Sequence, residues 1–330
     1  MKQFLQKKAK LVFLCMLVLL TCTACANPRG RDGKTLADQI IASEETTIDA
    51  SQINYKDISD KEVKKEIKKN IKDGQYTIQP TTFKNSMSKG WFEGLIVWPI
   101  AQIINLISSK TDAGVGIILT TLLIQMLVFV FTRKSQMSTQ RMQEIQPEIQ
   151  KIQNKYKDKT DERSKMQMAQ EMQNIYQKYD IHPFGSMLIT FIQLPIMMGM
   201  YYATMRSVSV VSGSFMGISL AGTPLDGFKA FDIAYIAIYV LMVIFYIVSM
   251  KLPQWLKKWQ DKKDNVKVKK YAQEETNPMA NSMNMSVYFM TAMICVMYIS
   301  WPMAMSFYWL VSSVIRVCQS LILHQVMNKK

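Results

Sequence analysis

Apolar residues in this chain fall in long uncharged blocks, with the charges in blocks between them. An ordinary soluble domain mixes the two at shorter range. Residues 113–132, 184–205 and 233–250 carry no charged side chain and are long enough to cross a bilayer as helices. Residues 285–315 are also uncharged, but at about 1.5 Å per residue they exceed one crossing. Trp301-Pro302 divides them, which predicts a fourth span at 285–301, a tight turn and a fifth span at 303–323. Upstream, Gln102, Asn105 and Ser109 recur at helical spacing opposite Ile100, Ile103, Ile104 and Ile107, with Trp91 and Trp98 nearby. That pattern predicts an amphipathic helix over 91–109, lying on the outer membrane surface.

Between the first two blocks, residues 133–183 predict a helical hairpin. Met137, Met142, Ile145, Ile149, Ile152 and Tyr156 repeat at threes and fours, as do Met168, Met172, Ile175 and Tyr179 on the return. Lys157 to Asp161 reads as the turn, and Pro147 implies a kink or an early break. Such an arm is too polar to bury much against a membrane domain and reads as a docking arm. Residues 206–232 carry Gly and Pro turn signals, and 251–283 is a lysine-rich loop. Residues 26–90 are polar with nearly balanced charge, and predict an extracytoplasmic tether with little core of its own. The fold class expected is an all-α membrane protein: five transmembrane helices, a cytoplasmic helical hairpin and an extracytoplasmic amphipathic helix.

Charge sets the orientation. The net charge is +15, but its placement matters more than its sum. About ten Lys and Arg lie in 133–183 and about eight in 251–283, whereas 206–232 holds Arg206 and Lys229. The positive-inside rule puts the first two segments in the cytoplasm and the third outside. The N-terminus agrees. Lys2, Lys7, Lys8 and Lys10 precede an apolar run, Leu11 to Leu20, and then Thr21-Cys22-Thr23-Ala24-Cys25. This is a signal-peptide pattern over 1–24. Its end resembles a bacterial lipobox, with Cys25 as the lipidated residue and an uncleaved signal anchor as the alternative. A bacterial cell membrane location follows, with a short cytoplasmic tail, 328–330.

Candidate chemistry is confined to polar residues inside the spans. Five cysteines and two distant histidines suggest no metal site. No nucleophile–base pair, cofactor motif or nucleic-acid motif is evident, so no enzyme activity, cofactor or specific nucleic acid is expected. Thr121 and Gln125 share a face of the first span. Ser186, Thr190 and Gln193 share one of the second, and Ser312, Arg316 and Gln319 one of the fifth. Gln125 and Arg316 each lie about seven residues, roughly 10 Å, from the cytoplasmic ends of their spans. Stripes agreeing in depth predict a hydrated groove open to the cytoplasm, with Arg316 as its fixed charge. An arginine so placed in lipid costs about 2.5–3.5 kcal/mol on insertion scales, and a wet groove would reduce that. The alternatives are interhelical hydrogen bonds at Thr121 and Ser186, and an Arg316 that snorkels to the inner headgroups.

Several motifs, in order and at their spacings, resemble the YidC/Oxa/Alb family of membrane-protein insertases over roughly Trp91 to Met327. Met142-Gln-Glu-Ile-Gln-Pro-Glu-Ile-Gln150 and Lys155-Tyr-Lys-Asp-Lys159 resemble the family's first cytoplasmic hairpin. Tyr176-Gln-Lys-Tyr-Asp-Ile-His-Pro-Phe-Gly185, Ile192-Gln-Leu-Pro-Ile196 and Tyr201-Tyr202 resemble its exit and the second span. Asn277-Pro-Met279, Trp301-Pro302 and Phe307-Tyr-Trp-Leu-Val-Ser312 resemble the approach to and the course of the last two spans. The resemblance implies a groove between spans one, two and five that receives the hydrophilic part of a short substrate. It implies nascent membrane proteins and membrane lipid as partners, with a Sec-type translocon and the ribosome as further candidates. Where bacterial members usually carry a span-one arginine this chain has Gln125, and a proline common near Val130 is absent. Arg316 then supplies the charge from span five. Two other readings remain: an assembly chaperone of the same fold without independent insertase activity, and a transporter or channel. The absence of Asp and Glu from all five predicted spans argues against proton coupling in such a transporter.

Overall fold

The computed structural model describes residues 28–157, 159, 161–181, 185–263, 289, 291–293 and 295–328. The signal segment and Cys25 lie outside these residues. The fold is mostly helical. Among the described residues three helices are long and apolar enough to cross a membrane: Ala113–Met142, Ile233–Leu256 and Met303–Val326. The second expected span is a helix, Gly185–Arg206, with Pro195 inside it. Of the fourth, residues 289, 291–293 and 295–298 are helical. Trp301 N then donates to Tyr298 O at 3.1 Å in the turn before the last helix, Met303–Asn328.

Two helices overrun their expected ends. The first runs Ala113–Glu144, and the third runs Ile233–Lys263. Loss of hydropathy ends a membrane crossing, but it does not end a helix. After Thr132 the chain offers Arg, Lys, Gln and Met, all good helix formers. The first break comes at Ile145, directly before the Gln146–Lys155 helix with Pro147 in its first turn.

The chain divides into two compact units, one holding Met1–Thr120, Gln193–Asp226 and Pro302–Tyr308, the other Thr121–Ile192, Gly227–Trp301 and Trp309–Lys330. In the first unit, residues 28–90 correct the tether expectation. They contain strands β1 (Thr35–Leu36), β2 (Thr46–Asp49), β3 (Ile53–Asn54), β4 (Ile71–Lys72) and β5 (Gln75–Ile78). β1 pairs parallel with β3, and β5 is the centre of an antiparallel sheet ordered β2-β5-β4. The helix Lys61–Asn70 begins at Asp60, whose carboxylate caps the Glu62 and Val63 amides. Ile40, Ile48, Ile53, Ile58, Ile67 and Ile78 form a core with Val208 and Val211. "All-α" is therefore too narrow for the chain as a whole.

The helix expected at the interface is Trp98–Ser108, entered through a π-helical turn at Glu93–Val97. Gln102 and Asn105 of its polar stripe bond to protein, while Ser109 at its end is exposed. Gln102 Nε2 donates to Ala42 O at 3.1 Å, and Asn105 Nδ2 donates to Ile41 O at 2.8 Å. Asn105 Oδ1 accepts from Ser207 Oγ and from Ser209 N, and Trp98 Nε1 donates to Thr81 O. The polar face thus docks on the folded N-terminal segment, where buried carbonyls need donors. Gly116 lets the next helix pack closely, since a Cβ there would fall 2.9 Å from Ile104 O. Residues 206–232, expected as a loop, hold short helices at Val208–Val211 and Pro224–Ala230 and the strand pair Ser214–Phe215 and Ile218–Ser219.

In the second unit, Gln146–Lys155 and Glu162–Lys178 run back along each other. Ile145, Ile149 and Ile181 are buried, with Met172, Ile175, Tyr176 and Tyr179 packed against them. Tyr156 Oη donates to Glu171 at 2.9 Å and Tyr179 Oη donates to Glu148. Asp161 caps the return helix by accepting from Ser164 N at 2.8 Å, which holds its carboxyl below the usual range. Hydrogen bonds from Lys155 and Tyr156 do the same for Glu171. These contributions are present above the ordinary carboxylate range and are lost as pH falls through the lowered folded values. Amide-exchange protection at Glu162–Lys165, corrected for intrinsic rate, is expected to fall on acidification from neutral to below about 4. Asp161→Ala should flatten that dependence, and a flat wild-type profile would mean that the cap contributes nothing.

Candidate functional site

The first and last membrane-length helices bring their polar residues together within the second unit. Thr121, Gln125 and Ser312 are all buried. Gln125 Nε2 donates to Ser312 Oγ at 3.1 Å. The predicted pairing of spans one and five is therefore a closed polar contact at this level, not an open wall. An amide and a hydroxyl facing each other each satisfy a group that hydrocarbon could not.

Arg316 lies one turn further along the last helix from Ser312 and is half-buried. Its guanidinium carbon is 5.8 Å from the centre of the Trp309 ring, within reach of a cation–π interaction. Trp309 is itself buried and held on two sides. Tyr298 stacks on it at 4.8 Å, and Tyr246 meets it edge-on at 6.3 Å. Arg316 Nη2 is buried without a hydrogen-bond partner among the described residues. A charged donor with an open hydrogen-bonding position in a low-dielectric setting can donate to an acidic or carbonyl oxygen from outside. Gln319 follows at partial burial.

Of the second span's stripe, Thr190 lies in the helical stretch Gly185–Arg206. In the first unit, Gln193 Nε2 donates to Tyr308 Oη at 3.1 Å. Sequence reasoning missed Tyr308, Trp309 and Ser313. Tyr308 and Trp309 were read only as part of a family-like motif, because aromatic residues in a span normally signify packing. Ser313 Oγ is also buried without a hydrogen-bond partner among the described residues. A surface cavity of about 540 Å³ is lined by Phe129, Val130, Phe131, Arg133 and Lys134, none of them predicted groove residues.

Comparison with known proteins bears directly on this arrangement. Residues 105–330 match the family model described as 60Kd inner membrane protein. The chain belongs to the YidC/Oxa/Alb insertase family. It is 31% identical over 237 residues to membrane protein insertase YidC 1 of Streptococcus pyogenes serotype M6, covering 72% of this chain and 75% of that protein. It is 30% identical over 257 residues to membrane protein insertase YidC 1 of Listeria monocytogenes serotype 4b, covering 77% and 78%. With membrane protein insertase MisCA of Bacillus subtilis the identity is 27% over 238 residues, covering 72% and 80%. The YidC/Oxa/Alb match takes in the helices that carry Gln125, Gln193, Ser312 and Arg316. It begins within the Trp98–Ser108 helix, so the folded segment 28–90 lies outside the matched residues.

Proposed function

We propose that this chain inserts newly made membrane proteins by receiving their hydrophilic parts against the Arg316 face of its last helix, from the cytoplasmic side. The observation that carries this is Arg316 itself: a guanidinium over the Trp309 ring, with Nη2 buried and without a hydrogen-bond partner among the described residues. Thr121, Gln125 and Ser312 form the closed polar floor, and Arg316 and Gln319 form the mouth nearer the cytoplasm. Gln193, paired with Tyr308, is a polar contact within the other unit. The reading also holds that five helices cross the membrane, that the 146–178 hairpin and the lysine-rich segment after 250 face the cytoplasm, and that Cys25 bears lipid outside. Nascent membrane proteins are its substrates. A Sec-type translocon and the ribosome are the partners to seek.

The buried Gln125–Ser312 contact favours a second reading, an assembly chaperone that keeps the fold without independent insertion. One experiment separates the two. Cells depleted of their own insertase receive this chain, and protease protection of a single-span reporter's outer tail is followed. Rescue to near wild-type protection is the expected result. Stable membrane expression without rescue would establish the chaperone reading.

A further inference from the structure

The Ile233–Lys263 helix has 31 residues, about 46 Å at helical rise, against a hydrocarbon layer of about 30 Å. Its membrane-length part is Ile233–Leu256. At 3.6 residues per turn, Val240, Ile244, Ile247, Lys251, Trp255, Trp259 and Lys262 fall along one face. The aliphatic members of that row are exposed, as expected of a side that meets lipid tails. Trp255 and Trp259 continue the row and are 49% and 63% exposed, well above what large aromatic side chains show in a protein interior. Lys262 and Lys263 are exposed, and Lys263 Nζ lies 5.8 Å from the Trp259 ring centre. Residues 251–263 carry five lysines against one aspartate.

We infer that this end of the helix is a binding face for the headgroups of anionic phospholipids. The order along the face matches the order across a leaflet: aliphatic chains at the tails, tryptophans at the boundary, lysines at the phosphates. The stripe is continuous with the lipid-facing side, so the same bilayer covers both. An excess of lysine beside the boundary selects negative headgroups, because each such charge near a surface adds to the attraction. Indole rings in this position bring a large apolar face and one N–H donor to the headgroup level.

The inference rests on the reading of this helix as membrane-spanning, but not on insertase activity or on which end faces the cytoplasm. The test is made on the full chain in vesicles of phosphatidylcholine containing phosphatidylglycerol, with bromine on the acyl chains of one lipid or the other. Both leaflets then contain both lipids. Bromine quenches nearby indole emission, and subtracting the signal of the Trp255→Phe/Trp259→Phe variant isolates these two residues. Brominated phosphatidylglycerol is expected to quench that difference signal at least about twofold more than brominated phosphatidylcholine at equal mole fraction. Lys262→Gln/Lys263→Gln should abolish the preference while leaving the quenching itself. Equal quenching by both lipids would overturn headgroup selection. Absence of quenching would overturn lipid contact altogether and give the face to a protein partner. Both pairs of side chains are exposed, so neither variant leaves a core cavity.

Discussion

Replacing Arg316 with alanine is expected to lower insertion of the single-span reporter by about 10- to 100-fold while leaving the protein in the membrane. The magnitude follows from what is removed. A hydrogen bond to a charged group contributes roughly 1.5–3 kcal/mol, and about 1.4 kcal/mol corresponds to tenfold. Nη2 has no hydrogen-bond partner among the described residues, so truncation removes an open binding group together with the Trp309 contact. Arg316→Lys keeps the charge but gives up the planar fork and much of the ring contact, so partial activity is expected. Gln125→Arg in the Arg316→Ala background returns a charge to the first helix and should restore part of the insertion. Full activity of Arg316→Ala would sink the role given to this residue and move the functional charge elsewhere. The readout is reporter protection normalised to the amount of membrane-integrated protein, so a folding defect cannot pass for a loss of function.

The three membrane-length helices among the described residues were legible in the sequence because their signal is one-dimensional. An uncharged run long enough to span lipid needs no partner to be recognised. The same is true of the turn at Trp301-Pro302 and of the break before Pro147, where local backbone chemistry decides. Helix ends were not legible, because polar helix formers carry Ala113–Glu144 and Ile233–Lys263 beyond the apolar blocks. The folded segment 28–90 was missed for a different reason. Apart from Ile40-Ile41 its isoleucines stand singly, and its longest strands have four residues each. Part of its core, Val208 and Val211, comes from about 130 residues downstream of Ile78. Gln102 and Asn105 were found as a polar stripe, but the stripe could not say whether water or protein faced it. The site divided in the same way. Helical spacing located Gln125, Ser312 and Arg316, while the support that Trp309 gives Arg316 needed Tyr246 and Tyr298 from other segments.

A second large effect concerns Arg206, which the sequence placed in a loop and which is 4% exposed. Its guanidinium pairs with the Glu93 carboxylate, and it donates from Nε to Gln39 O at 2.7 Å and from Nη2 to Gln39 Oε1 at 2.9 Å. Glu93 lies in the π-helical entry to the Trp98–Ser108 helix, and Gln39 lies in the N-terminal segment. One side chain therefore fastens the end of Gly185–Arg206 to two other parts of its unit. Lys89 nearby is held below the usual lysine value by burial and by the charge of Arg206. Arg206→Ala leaves the Glu93 carboxylate and the Gln39 oxygens without their donors, a loss of roughly 3–5 kcal/mol for a broken buried pair. The Ile41 N–Arg206 O and Val208 N–Ile41 O backbone bonds survive the substitution, so it tests the side chain alone. The expected result is trypsin cleavage within the lysine-rich helix Lys61–Asn70 under conditions where the parent chain resists, together with a lower thermal midpoint in detergent. Arg206→Met with Glu93→Leu should recover much of the loss, since removing both charges leaves no bare carboxylate. If the double variant is as weak as the single one, the three-way fastening rather than the buried charge is what the fold depends on. The Gln39 contacts would then be the next to remove.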